Sequence, residues 1–235
     1  MLGYQNKILR VNLSKKESKM EPLRMDWAEK YIGSKGLSIK YLYEELEPGI
    51  DPLSPENKLI FMTAPLTGTS VPCSGKLAIA GKSPATGTIC DCSIGGHAAL
   101  QIKYAGYDAV IIEGRLDRPG YFVIDNDVIT FKDAAEIWGM GSHETEATLA
   151  DKYGTDYSVI SIGPAGETQC IMACINSDYY RQAGRGGMGA VMGSKNLKAV
   201  LVKGTGGVKI PNIGEAGRRI AEIQKCYFPE AYPPF

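Results

Sequence analysis

Leu59-Ile-Phe-Met-Thr-Ala-Pro-Leu-Thr-Gly68 and Val159-Ile-Ser-Ile-Gly-Pro-Ala-Gly166 open two stretches of the chain that repeat one another. After the first come Gly95-Gly96, a short helical run and Asp108-Ala-Val-Ile-Ile-Glu-Gly114. After the second come Gly186-Gly187, a short helical run and Lys198-Ala-Val-Leu-Val-Lys-Gly204. Three matches in the same order point to an internal duplication. The apolar runs read as strands and the glycine pairs as loops, so the pattern predicts two β-rich halves related by a pseudo-twofold axis. The fold class expected is α+β, with mixed sheets and a few short helices. Two glycine loops on such a frame suit a two-part ligand, or two copies of one ligand.

Flanking segments fill in the frame. Lys7–Leu13 alternates as a strand, and Asp26-Trp-Ala-Glu29 reads as a capping box opening a helix. That helix is expected to break near Gly33 and Gly36 and to resume to Leu46. Pro48, Pro52 and Pro55 mark a turn-rich connector before the strand Lys58–Ala64. Tyr121–Ile124 and Val128–Phe131 flank Asp125-Asn126-Asp127 as a hairpin. Ser142, with Glu144 and Glu146 behind it, opens a helix that ends near Gly154, and Tyr157–Ile162 follows as a strand. Pro211 closes the glycine-rich stretch Gly204–Gly207, and Ile213–Cys226 reads as a final helix. The last residues, FPEAYPPF, resemble neither a cap nor a folded ending.

The chain has 235 residues, with 26 Lys+Arg against 26 Asp+Glu and therefore no formal net charge. Neutrality argues against a nucleic-acid binder held by a basic field. No stretch approaches 18 consecutive apolar residues, so no spanning helix is expected. The start, MLGYQNKILRVNL, lacks a signal-peptide core, which argues against secretion and, together with reduced cysteines, makes a cytoplasmic protein the expectation. Glycine is the outlier at 28 residues, about 12% against a usual value of about 7%. Close backbone approach is the physical reason for such an excess.

Six cysteines, Cys73, Cys90, Cys92, Cys170, Cys174 and Cys226, form no CxxC and close no zinc or iron–sulfur spacing. Ile89–Cys92 and Cys170–Cys174 both alternate, which predicts strand segments with buried, reduced thiols. Two histidines, His97 and His143, are too few for a zinc site.

The sharpest ligand candidate is Tyr180-Arg181-Gln182-Ala183-Gly184-Arg185-Gly186-Gly187. Glycines expose backbone N–H groups to an anion, and the two guanidinium groups suit a phosphate or a planar heterocycle. Ser74-Gly75-Lys76 and Ser93-Ile94-Gly95-Gly96 supply the first half's counterpart. No GxxxxGK[ST] occurs and no GxGxxG follows a strand, so neither a P-loop nor a Rossmann nucleotide site is supported. Gly184-Arg-Gly-Gly-Met-Gly189 imitates the latter without a βαβ frame. Glu113, Glu144, Glu146 and Glu167 occupy ordinary helix-start or strand-end positions and read as structural. GxSxG, HExxH and a cysteine–histidine pair are all absent. Chemistry would therefore come from a cofactor or another chain.

Several strings together resemble the N-terminal domain of the tungsten-containing aldehyde ferredoxin oxidoreductase family. They are Ile8–Leu13, Asp51–Lys58, Pro65–Ser70, Lys82-Ser-Pro84, Lys103–Asp108, Ser142–Ala147, Ser161–Glu167 and Ala183–Lys198. They run in order from about residue 3 to 210.

The resemblance implies a domain forming the base beneath tungstopterin, a bis-pterin cofactor holding one tungsten, or molybdenum in some relatives. A Mg2+ ion would bridge its phosphates, with one pterin to each half. By the same resemblance Lys76, Ser93, Gly95, Arg181, Gln182, Gly184 and Arg185 bind the cofactor. The magnesium contacts fall on Ser93 and Gln182 through backbone carbonyls. Aldehyde oxidoreductases of the family carry arginine where this chain has Lys76 and asparagine where it has Ser93. Lysine keeps the charge without the bidentate fork, so binding is expected to persist while the substrate branch stays open.

Residues 1–210 are expected to form the pterin-binding domain, with 211–235 a linker and the start of a helical domain. Full-length relatives continue with a CxxCxxxC set for a 4Fe-4S cluster and with the substrate pocket. The chain is equally consistent with a deliberately cut piece, a truncated gene product or one subunit of a split enzyme. The implied whole oxidises aldehydes to carboxylic acids and passes electrons to ferredoxin. Its partners would be the further domains or a separate catalytic subunit, and a homo-oligomer is compatible. A non-enzymatic cofactor carrier, a scaffold subunit and an inert remnant are the competing readings. An exposed apolar face is expected where further domains would cover the cofactor side.

Overall fold

In a computed structural model that describes residues 2–227, the chain lays down one topology twice. The first half contains β1 (Lys7–Asn12), β2 (Glu17–Pro22), α1 (Met25–Tyr31), α2 (Ser34–Glu45) and β3 (Leu59–Met62). It continues with β4 (Leu77–Lys82), β5 (Ile89–Ile94), α3 (Ala98–Tyr104) and β6 (Ala109–Glu113). The second half contains β7 (Gly120–Asp125), β8 (Val128–Asp133), α4 (Ser142–Tyr153), β9 (Ser158–Ser161) and α5 (Pro164–Glu167). It closes with β10 (Ile175–Ser177), β11 (Arg181–Ala183), α6 (Met188–Ser194) and β12 (Leu197–Lys203), after which comes α7 (Ile213–Tyr227).

Each half builds a six-stranded mixed sheet. The orders are β2-β1-β6-β3-β4-β5 and β8-β7-β12-β9-β10-β11. Pairing senses also agree: β1 with β6 and β7 with β12 are parallel, and every other neighbouring pair is antiparallel. The duplication thus extends to the N-terminal hairpin of each half, β1–β2 and β7–β8, beyond the segments whose sequences echo. The fold is α+β.

Three apolar layers hold the sheets. The largest lies between them, joining Leu9, Phe61 and Val110 of the first sheet to Phe122, Ile160 and Val200 of the second, with residues of α3 and α6. The outer face of the first sheet packs Ile60, Ala80 and Ile111 under Leu37 and Tyr41 of α2. The outer face of the second packs Val123, Val159 and Leu201 under Leu149 of α4. Strands covered on both faces need continuous apolar sequence, as in Leu59–Met62, all four of which are buried.

Local expectations fail at three places. The residue before α1 is Arg24, with no side-chain cap; Asp26 lies inside the first turn and pairs with Arg24 at 2.7 Å. The helix does break at Ile32–Gly33, but Gly36 lies within α2. Cys170–Cys174 forms a turn closed by Cys170 N–H on Ala165 C=O and Ala173 N–H on Cys170 C=O, so its alternation reflects no strand. All six cysteines are free, yet only Cys92 is buried, and Cys73, Cys170 and Cys226 are exposed. No residue of α7 is buried. FPEAYPPF lies outside the described residues.

Candidate functional site

The strands β5 and β11 are the corresponding edges of the two sheets, and they face each other across the gap between halves. An edge strand leaves a row of backbone donors and acceptors unpaired. Each leads into a glycine loop and then a helix, α3 or α6. Alternation along the edges sends Cys92, Ile94 and Ala183 into the central core, while Ser93 and Gln182 are exposed. Ser93 stands opposite Ala78, and Gln182 opposite Asn176.

Contacts between the edges run in opposite chain directions. Arg185 N–H donates to Cys92 Sγ at 3.1 Å, and the thiol donates back to Arg185 C=O at 2.9 Å. Burial pushes the Cys92 thiol pKa up, which keeps the proton needed for that second bond. At Gly95, a β-carbon would stand 3.4 Å from Lys76 Nζ and 3.6 Å from Arg181 Cδ, so three chain segments meet there. The Asp178 carboxylate accepts the backbone N–H of His97 at the far end of the contact.

Two glycines have steric reasons to be glycine. Gly96 (φ +95°) has its β-carbon position taken by Asp178 Oδ2, 1.9 Å away. Gly186 (φ +75°) has its own taken by Cys90 Sγ, 2.5 Å away. Nothing lies within 4 Å of the equivalent point at Gly184, which faces open space.

Lys76, Arg181 and Arg185 are exposed, and among the described residues none forms an ion pair. Of these, Lys76 and Arg181 meet at Gly95, and cations beside glycine backbone are chemically suited to an anion. The seven residues singled out in the sequence all lie on or beside the two facing edges. Exposed Ile171, Met172 and Tyr180 flank the second-half loop. Among the described residues, no group of three or more His, Cys, Asp or Glu side chains is arranged to hold a metal.

Glu146, read from the sequence as structural at an ordinary helix-start position, is in fact buried beside the second-half turn. It is 3% exposed, and its Oε2 accepts Tyr179 N–H at 2.6 Å. Burial, reinforced by the charge of Asp178, pushes its pKa up to about 7 against the opposing pull of Tyr179 N–H and His143. The available signal was position: Glu146 shares a helical face with buried Leu149, where an acid is out of place.

The sequence profile of the aldehyde ferredoxin oxidoreductase N-terminal domain matches residues 8–204. The chain belongs to that family. It is 46% identical over 216 residues to the tungsten-containing aldehyde ferredoxin oxidoreductase of Pyrococcus horikoshii, covering 92% of this chain and 36% of that protein. To the aliphatic sulfonate oxidoreductase WOR-like subunit of Pyrococcus furiosus it is 36% identical over 222 residues, covering 88% and 35%. Among solved structures it resembles the active site complex BamBC of benzoyl coenzyme A reductase, in complex with 1,5 dienoyl-CoA. There the TM-score is 0.94 at 32% identity, over 99% of this chain and 36% of that one. The chain therefore spans roughly a third of the length of these relatives. The named relatives are oxidoreductases, and the first is tungsten-containing. No helix among the described residues is long and apolar enough to cross a membrane.

Proposed function

We propose that this chain is the part of a cytoplasmic tungsten, or molybdenum, oxidoreductase that holds a bis-pterin cofactor. One observation carries the reading: Lys76 and Arg181 meet at Gly95, and Arg185, on the same facing edges of the duplicated frame, contacts Cys92 through its backbone. The residues fit the group. Three cations match pterin phosphates, and the open space at Gly184 admits a flat ring system. Residues 1–210 would form this domain and 211–235 a linker.

In this reading Lys76 serves as a point charge, while Arg181 and Arg185 supply forked donors. Main-chain carbonyls on the two edges, at Ser93 and Gln182, would hold a magnesium ion that offsets phosphate charge. Such a cofactor, when bound, would supply the oxygen-atom and electron transfer. The chain's own groups neutralise, orient and hydrogen-bond; none in the site has the geometry of a nucleophile and base. The intact protein would oxidise an aldehyde to a carboxylic acid, passing electrons through a 4Fe-4S cluster outside this chain to ferredoxin. Further domains or a separate subunit would complete it.

Tungsten and molybdenum analysis with pterin fluorescence, on chain purified without oxygen from its native host, tests the reading. About one metal per two pterins is the expected result; neither metal nor pterin would overturn it. Arg181→Ala with Arg185→Ala should weaken cofactor binding at least a hundredfold and lower the cofactor content of purified chain. Two charge-assisted hydrogen bonds at about 1.5–3 kcal/mol each require that much. The far-UV circular dichroism should not change. Undiminished cofactor in that variant would sink the site.

A further inference from the structure

The candidate site takes its cations from both halves, so it depends on whatever holds the two edges in register. At one end that contact is Arg185 on Cys92, and in the middle it is Arg181 near Gly95. At the other end stands Asp178. Its carboxylate accepts the N–H of His97, lies 3.4 Å from His97 Nδ1, and fills the space a side chain on Gly96 would need.

Asp178 and Tyr179 are successive non-glycine residues with left-handed backbones, at φ +49° and +59°. Such conformations cost free energy and persist only where surroundings over-determine them. Here they are held from two sides. Glu146 on α4 accepts Tyr179 N–H, and His143 Nε2 lies 2.6 Å from Tyr179 C=O. His143 also meets the rings of Tyr179 and Tyr180 edge-on, at 5.9 and 5.4 Å between centroids. The strained turn ends one residue before β11, and so delivers Arg181 to the site.

We propose that Asp178 is a positioning residue: its carboxylate, presented by the turn that Glu146 anchors, docks on His97 of the opposite half and sets Arg181 beside Gly95 and Lys76. The proposal rests on the cofactor-site reading for its functional meaning, but the docking itself can be measured without cofactor. Asp178→Gly removes the carboxylate while accepting the left-handed backbone freely. Asp178→Asn retains an acceptor oxygen and also tolerates that conformation.

Both variants, with Glu146→Ala and Glu146→Gln, are prepared in the full chain. Hydrogen exchange is followed at residues 92–97 and 181–185, alongside tungsten and pterin content and the thermal midpoint. Asp178→Gly should speed exchange of the His97 amide at least tenfold and lower cofactor content at least tenfold, with the midpoint shifted by only a few degrees. Asn should restore both. Glu146→Ala should loosen residues 181–185 from the other side, and Gln should rescue it by accepting the Tyr179 N–H. Should Asp178→Gly not fold, the Glu146 pair decides by the same readouts. Unchanged exchange and unchanged cofactor in Asp178→Gly, or in Glu146→Ala where that pair decides, overturn the proposal. If wild-type chain carries no cofactor, the function proposed above fails while the exchange arm still decides the docking.

Discussion

Replacing Glu146 by Gln tests whether a buried acid makes stability depend on pH. Folding raises the Glu146 pKa from 4.5 to about 7, chiefly by burial. The folded chain therefore keeps a proton that the unfolded chain has released between those values. The associated stability is fully present below pH 4.5 and is lost as pH rises through about 7. At about 1.4 kcal/mol per pH unit, the loss from this one group reaches about 3 kcal/mol. Gln keeps an oxygen for Tyr179 N–H and turns an amide toward the Ser161 hydroxyl that now neighbours the carboxyl. It does so without titrating. Urea denaturation of both chains at half-unit steps from pH 4.5 to 8 isolates the effect, because other titrating groups cancel in the difference. The expected result is a stability advantage for Glu146→Gln that grows by about 3 kcal/mol across the range. Curves parallel to within about 0.5 kcal/mol would refute the assignment of a shifted, buried carboxyl.

Lys195 is buried, with Nζ donating to the carbonyls of Pro55 at 3.1 Å, Asn57 at 2.5 Å and Gly114 at 3.1 Å. Lys195→Met leaves all three without that donor and should cost about 2 kcal/mol or more in urea denaturation. Burial, with Arg115 and Lys58 nearby, pushes Lys195 down to about 7. The unfolded chain holds the proton longer, so wild type should gain stability from pH 7 to 10.5 and the Met variant should lack that gain. Gly193→Ala places a β-carbon 1.8 Å from Gly166 C=O, where α6 meets α5. Backbone has to move, so a loss of about 3 kcal/mol or an insoluble product is expected. Gly217→Ala, on α7 with nothing within 4 Å, should leave the thermal midpoint level or slightly higher.

Elements spelled by apolar pattern were readable in advance. Leu59–Met62, Ser158–Ser161 and the hairpin at Asn126 follow from runs that only a covered strand or a tight turn accommodates. The echo of Asp108–Gly114 in Lys198–Gly204 announced a repeated frame. That the repeat includes β1–β2 and β7–β8 was illegible, since those hairpins share their place in the sheet but neither turn length nor wording. Cys170–Cys174 misled because alternation over five residues does not separate a strand from a turn whose N–H groups fold back on Ala165 and Cys170. At the site, glycine and arginine types pointed to the loops. Asp178 and Glu146 were hidden because their importance is long-range: a carboxylate matters here through a backbone amide 81 positions away.

The two halves interlock by exchange. Cys90 of the first half fills the side-chain space of Gly186 in the second, and Asp178 of the second fills that of Gly96 in the first. A glycine in each loop is thus the socket for the other half, which explains why close-approach glycines fall in pairs at equivalent places. The charge does not repeat with the frame. The first half contributes Lys76 from the loop before β4, whereas the second contributes Arg181 and Arg185 on and just after β11. Asp91 on β5 is tied to Lys35 of α2 at 2.9 Å and adds nothing cationic. A ligand with two like anionic ends would therefore meet unlike grips: one compact ammonium on one side, two forked guanidinium groups on the other. The repeated frame would present such a ligand with two matching edges, while the unlike side chains on them would set how firmly each end is held.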